Sequence, residues 1–243
     1  MNLWLTLATA ARVLRQLRHD PRTIALMVLM PSILLAMLRY VFNSASTFSH
    51  IAPSLLGFFP FLIMFLVTSI AMLRERSSGT LERLLTTPMA KLALITGYAI
   101  AFSALAVAQV ALAVAVSVGM GLTLKGSVWA LVLVSLLDAL LGIALGLLAS
   151  AFARTEFQAV QFMPVIVLPQ LLVCGLFQPR GQMAAALTWF SNVMPLSYAV
   201  EALQRVASSP SLDGTFVRGV AVLVGSVGAA LVAATATLRR QTR

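Results

Sequence analysis

Six apolar runs, each close to the length a helix needs to cross a bilayer, recur along this chain and constrain every other reading of it. About 20 apolar residues in a helix match the hydrocarbon layer of a membrane. Within that layer the backbone can satisfy its own polar groups only as helices or closed barrels. Only 10% of the residues are charged and 60% are apolar, against roughly one-quarter charged in soluble domains. A chain of this kind cannot hide its apolar surface from water. The expectation is an all-α integral membrane protein forming one domain over residues 1–243, with six spans at 23–42, 51–73, 93–118, 128–152, 157–177 and 216–238.

Two shorter regions complete the layout. Residues 1–20 read as an amphipathic interfacial helix, with Leu3, Leu7, Leu14 and Leu17 on one face and Arg12, Arg15 and His19 on the other. The opening LWLTLATAA resembles a signal peptide but has no basic residue before its short apolar part. Asp20-Pro21 then supplies a cap and a first-turn proline for the first span. Residues 178–215 are apolar enough to suggest a seventh crossing, yet they hold Asn192, Pro195, Glu201 and Arg205, all unwelcome at the bilayer centre. They read as two outer re-entrant or interfacial helices broken at Pro195. In the second, Leu196, Val200, Leu203 and Val206 form a stripe, with Glu201 and Arg205 four residues apart on the other face.

The net charge of +10 does not point to nucleic acid, because the basic residues lie between apolar spans rather than on one water-facing surface. It points to membrane orientation and anionic lipid headgroups. With both termini cytoplasmic, twelve of the seventeen Arg and Lys fall inside and four outside, leaving Arg39 at the boundary to snorkel outward beside Tyr40. Fifteen arginines against two lysines suggest a GC-rich bacterial genome, hence a bacterial cytoplasmic membrane. The single cysteine, Cys174, sits in an apolar run and allows neither an intrachain disulfide nor a cysteine metal site.

Between the second and third spans, loop 74–91 contains the string LRERSSGTLERLLTTPMAK, which starts at Leu73. Ser77, Ser78 and Gly79 end the preceding helix, and a new one can start at Gly79 or Thr80 with Glu82 in its first turn. Leu81, Leu84 and Leu85 then share a face, and Thr87-Pro88 stops the helix. A short stiff rod of this kind suits docking in another protein's groove. A charged hairpin that only fixes topology is the plainer alternative.

This string resembles the first cytoplasmic loop of type-2 ATP-binding-cassette transporter permeases, the exporter family that includes daunorubicin-resistance permeases. GLFQPRGQMAAALTWFSNVMPLSYAVEALQRV resembles the same family's outer segment before the last span. The resemblance implies a cytoplasmic coupling helix inserted into a separate ATPase. Leu84 and Leu85 would fill the partner's cleft, Glu75, Glu82 and Arg83 would set register, and Gly79, Thr80 and Pro88 belong to the same motif. It also implies two ATPase copies carrying the ATP and Mg, a second permease as homodimer or heterodimer, and an outer gate at Pro195, Tyr198 and Glu201. The chain has no G-x-x-x-x-G-K-[ST] phosphate loop, so it is expected to be no enzyme and to hold no cofactor itself.

For substrate, Phe58, Phe61 and Phe65 share a face of the second span beside Met64. They pack in a core or line an apolar cavity for an amphiphile such as a drug, antibiotic or lipid. The fifth span carries Gln158, Gln161 and Gln170, whose amides are expected to bond neighbouring helices. Because the resembling family lines its path with the second and fifth spans, Gln161 and Met163 join the candidates. Asp138, the one acidic residue deep in a span, is a helix contact, a partner for a cationic substrate or a proton site, in that order. A proton-driven secondary transporter and a non-transporting membrane interaction protein are the rival readings.

Overall fold

A computed structural model of the chain describes residues 3–79 and 90–237. Among the described residues the structure is all helical, with nine α-helices: α1 Leu3–Arg18, α2 Pro21–Phe42, α3 Ala45–Ser77, α4 Lys91–Gly119, α5 Val128–Ser150, α6 Glu156–Val173, α7 Ala185–Val193, α8 Pro195–Ser208 and α9 Gly214–Thr237. A 3-10 turn, Arg180–Gln182, precedes α7. Helices α2, α3, α4, α5, α6 and α9 are long and apolar enough to cross a membrane.

The boundaries follow local chemistry. Asp20 caps α2, accepting from the Thr23 amide at 3.2 Å and from its hydroxyl at 2.5 Å, and Pro21 stands at the first turn. The second span is longer than its expected 51–73, because Ser44 caps α3 and starts it at Ala45. The helix also runs past 73 to Ser77, where the expected Ser77-Ser78-Gly79 break ends it: the amide of Ser78 bonds the Arg74 carbonyl and Gly79 takes a φ of 72°. The fifth span is shorter than its expected 157–177. Helix α6 stops at Val173, and Gly175 turns the chain with a φ of 97°.

Helices α3 and α5 form the axis of the bundle. Gly142 and Gly146, four residues apart on α5, face α3 so closely that a methyl on Gly142 would lie 2.3 Å from the Phe61 carbonyl oxygen. A methyl on Gly146 would lie 2.5 Å from the Phe65 oxygen. On the α3 side Gly57 leaves equivalent room for Asp138 and Leu203. In lipid, where apolar burial gives helices little reason to associate, such small-residue contacts supply the packing. In the apolar stretches of both helices 61% of residues are buried, against 22% in α2, α6 and α9, which form the periphery.

Helix α1 turns its small residues toward the protein. Thr6, Thr9, Ala10 and Val13 pack on α4, where Gly97 has no side chain to hold them off, and Leu3 and Leu7 are exposed. An interfacial helix can do both, small residues to the protein and leucines to lipid. Within 178–215, α8 packs into the bundle. Its stripe of Leu196, Val200, Leu203 and Val206 is fully buried among α3, α5 and α9, and Leu203 reaches Gly57. The α4–α5 connection closes this end of the bundle, with Lys125 and Gly126 amides on the carbonyls of Ala207 and Val206. Arg39 does not simply snorkel; its Nε donates to the Met120 carbonyl at 3.1 Å.

Gly142→Ala and Gly146→Ala should each destabilise the folded protein by about 1–3 kcal/mol through overpacking. Gly225→Ala on α9, where nothing lies within 4 Å, should not lower stability. Melting temperatures in detergent check this; equal melting for all three would contradict the close-packed axis.

Candidate functional site

Residues Arg74, Glu75 and Arg76 end α3 just before segment 80–89. Successive helical residues point about 100° apart, so these three reach three directions. Arg74 grips Glu156 at the start of α6 through two bonds, Nε to Oε1 at 2.8 Å and Nη2 to Oε2 at 3.0 Å. Glu75 faces α1, where Arg12 Nη1 lies 3.5 Å from its Oε1. Arg12 Nη2 also donates to the Tyr98 hydroxyl of α4 at 2.5 Å. Arg76 donates to the carbonyl of Ser150, the last residue of α5, at 2.7 Å. The end of α3 is thereby clamped to α1, α4, α5 and α6 within a single turn.

These bonds differ in weight. The Arg74–Glu156 pair is more than half exposed on both sides, so solvent screening leaves it contributing little to stability. The Glu75 side chain is 9% exposed, and its Oε2 has no hydrogen-bond partner among the described residues. A buried carboxylate depends strongly on the partner it has. Of the residues assigned to coupling, Glu75 therefore faces its own chain, and Gly79 turns the backbone out of α3. Thr80, Glu82, Arg83, Leu84, Leu85 and Pro88 lie outside the described residues.

The residues assigned to a substrate path divide into two groups. Phe61, Met64 and Phe65 are fully buried and Phe58 nearly so, all within the core of this chain. Asp138 is fully buried beside Gly57, both of its oxygens without a hydrogen-bond partner among the described residues. Gln161 and Met163 stand apart on peripheral α6, the first exposed and the second half-buried. The expectation that the α6 amides bridge to other helices is corrected for two of them. Gln158 accepts from the Arg154 amide in a cap, and Gln170 donates to Ile166 of its own helix. Each amide meets backbone within one turn of its own position, though Gln170 Oε1 is buried with no hydrogen-bond partner among the described residues. Interhelical amides lie elsewhere: Gln109 of α4 donates to the Met27 carbonyl of α2 at 2.9 Å and Gln204 of α8 to the Ser54 hydroxyl of α3 at 3.0 Å.

At the other end, Tyr198 and Glu201 meet, and Pro195 starts the helix that carries both. Glu201 accepts from Arg180 at 2.6 Å and from Arg218 at 3.0 Å, and both guanidiniums lie over the Tyr198 ring, 4.8 and 5.4 Å from its centre. Asn192 joins through its side chain to Arg180 and through its carbonyl to the Tyr198 hydroxyl at 2.8 Å. The expected spacing pair Glu201–Arg205 does not form; Arg205 pairs with Asp213 instead. Burial works against ionisation of Asp213, but Arg205 and the amides of Phe216 and Thr215 hold its carboxyl below the usual range.

Arg12, Tyr98, Arg76, Glu156, Arg180 and Arg218 were not singled out by sequence reasoning, since each finds its partner on a distant segment. Glu156 alone carried a local signal, an acidic residue after Thr155 at a helix start.

Residues 5–207 match the ABC-2 type transporter family. The chain is 29% identical over 191 residues to the probable multidrug ABC transporter permease YbhS of Escherichia coli (strain K12), covering 77% of this chain and 51% of that protein. It is 24% identical over 165 residues to the probable multidrug ABC transporter permease YbhR of the same organism, covering 67% and 45%. To ABC transporter G family member 20 of Dictyostelium discoideum it is 24% identical over 157 residues, covering 64% and 22%. The chain thus spans about half the length of the bacterial relatives and about a fifth of the amoebal one.

Glu75→Ala should cost about 1.5–3 kcal/mol, the loss of a charged, buried contact, and Glu156→Ala clearly less, because water screens its exposed pair. Thermal unfolding of both variants in detergent tests the order; a reversed order would mean that the exposed pair, not the buried one, secures the clamp.

Proposed function

The chain belongs to the ABC-2 type transporter family, and from that premise we propose that it is the membrane-spanning permease of an ATP-driven exporter for hydrophobic or amphiphilic substrates, of the drug, antibiotic or lipid kind. The observation that carries the reading is the clamp at Arg74, Glu75 and Arg76. It lies immediately before the GTLERLL string that resembles a coupling helix. A rod that receives force from a motor is useful only if its root is rigidly joined to the helices it must move. Here one turn of α3 joins the root to four other helices, and α3 continues through the centre of the bundle.

On this reading the arginine-rich end faces the cytoplasm of a bacterial cell, with both termini inside. Two ABC ATPase subunits supply ATP and Mg chemistry, and a second permease, identical or different, completes the transporter. Leu84 and Leu85 seat in the ATPase, with Glu82 and Arg83 setting register and Thr80 and Pro88 bounding the helix. Glu75 acts one step back, by fixing α3 to α1 and α4. The exposed flanks of α6 and α2, including Gln161, are available to the second permease and to substrate. Tyr198 and Glu201, bound by two arginines, hold the outer end closed. The printed names of the two bacterial relatives favour multidrug export.

Co-expressed with its ABC ATPase, the protein should export substrate only with ATP. Glu82→Ala and Leu84→Ala should uncouple hydrolysis from transport or release the ATPase from the membrane. Equal ATPase binding by a variant with residues 80–88 scrambled would count against the coupling role, and transport by the purified chain without nucleotide would end the exporter reading.

A further inference from the structure

A groove of about 500 Å3 opens beside the clamp, between α1, α2, α3 and α4. One wall is apolar: Met27 of α2, Val67, Ile70 and Ala71 of α3, and Phe102 of α4. The other end is polar, with Gln16, Asp20, Arg74, Glu75 and Tyr98. The volume falls within the range of sites for drug-sized molecules, and an apolar trough with polar groups at one end has the shape of an amphiphile.

Charge selects the head group. Arg74, the guanidinium that lines the groove, is engaged by Glu156; Arg12, which does not line it, bonds Glu75 and Tyr98 through its Nη atoms, its buried Nε having no hydrogen-bond partner among the described residues. The carboxylates are less fully matched. Asp20 makes no ion pair among the described residues, and the hydroxyl and amide of Thr23 hold its carboxyl below the usual range, so it stays charged. Glu75, nine-tenths buried, lines the groove with one oxygen, Oε2, lacking a hydrogen-bond partner among the described residues. The chain has only seven acidic residues against seventeen basic ones, yet two of the seven edge this groove.

We infer that this groove receives an amphiphile with a cationic head and a single apolar tail. A protonated or quaternary amine sits between Asp20 and Glu75 beside the Tyr98 ring, and the tail lies along Met27, Val67, Ile70 and Phe102. The inference rests on the exporter reading for what binding leads to, but not for binding itself. Because Glu75 also holds Arg12, a cation arriving at its free oxygen weakens the bond from α3 to α1, so occupancy is felt at the root of the coupling segment.

The test uses the whole chain in nanodiscs of neutral lipid, without ATPase or nucleotide, and measures equilibrium binding of radiolabelled dodecyltrimethylammonium. Saturable binding is expected, displaced by unlabelled probe and not by dodecyl sulfate. Ile70→Trp, which fills the trough and touches no charge, should weaken binding about tenfold or more, the scale of one lost apolar side-chain site. The paired exchange Arg12→Glu with Glu75→Arg keeps an ion pair but puts a guanidinium at the groove wall. It should abolish binding of the cation and admit dodecyl sulfate, an inversion that a purely structural role would not produce. Melting temperatures identify which variants are folded. Absence of saturable binding to the wild type, unchanged affinity in a folded variant, or equal displacement by dodecyl sulfate would each overturn the inference. Failed ATP-driven export with binding intact would bear on the exporter reading alone.

Discussion

The closeness of α3 to α5 is the contact on which the rest of the molecule depends. Hydrocarbon tails are as apolar as leucine, so helices gain little by leaving lipid for one another, and what holds them is close packing and the polar bonds that close packing permits. Gly142 and Gly146 let the backbones touch at Phe61 and Phe65. Thr68 then reaches across, its hydroxyl 3.4 Å from the Ile143 carbonyl. With that axis set, α4 packs on one side, α8 enters on another, and the remaining spans keep most of their surface for lipid or for another chain.

An axis of this kind makes α3 a lever with two worked ends. Toward the arginine-rich end its last turn is tied to four helices by Arg74, Glu75 and Arg76. Toward the other, Gly57 and Ser54 meet Asp138, Leu203 and Gln204, joining it to α5 and to α8. Helix α8 passes the connection onward, since Glu201 and Tyr198 hold Arg218 of α9 and Arg180 of the 3-10 turn. Displacement at one end of α3 therefore has rigid parts to act on at the other. On the proposed reading, this continuity gives a motor outside the membrane something to push against.

Polar residues are used sparingly and at the ends. Between the two charged clusters lies a core of phenylalanine, leucine and alanine, interrupted by Asp138. The phenylalanines of α3 spend their faces on this core. The surfaces that the chain leaves exposed are chiefly those of α2, α6 and α9. The groove at Glu75 is different in kind, since it is enclosed by helices of one chain and borders the clamp.

What the amino-acid order determined by itself was everything governed by local physics. Span number and approximate position follow from apolar run length, the start of α2 from Asp20-Pro21, the end of α3 from Ser77-Ser78-Gly79, and the break between α7 and α8 from Pro195. The stripe of α8 was readable too, because periodicity marks a face. Periodicity does not say what a face meets, and there the tertiary structure decided. It turned Thr6, Thr9 and Ala10 of α1 onto α4, because a glycine there admits small side chains. It gave Glu75 to Arg12, Glu201 to Arg180 and Arg218, and Arg205 to Asp213, since an ion pair forms between whatever charges the packing brings within reach, not between those spaced most favourably along one helix.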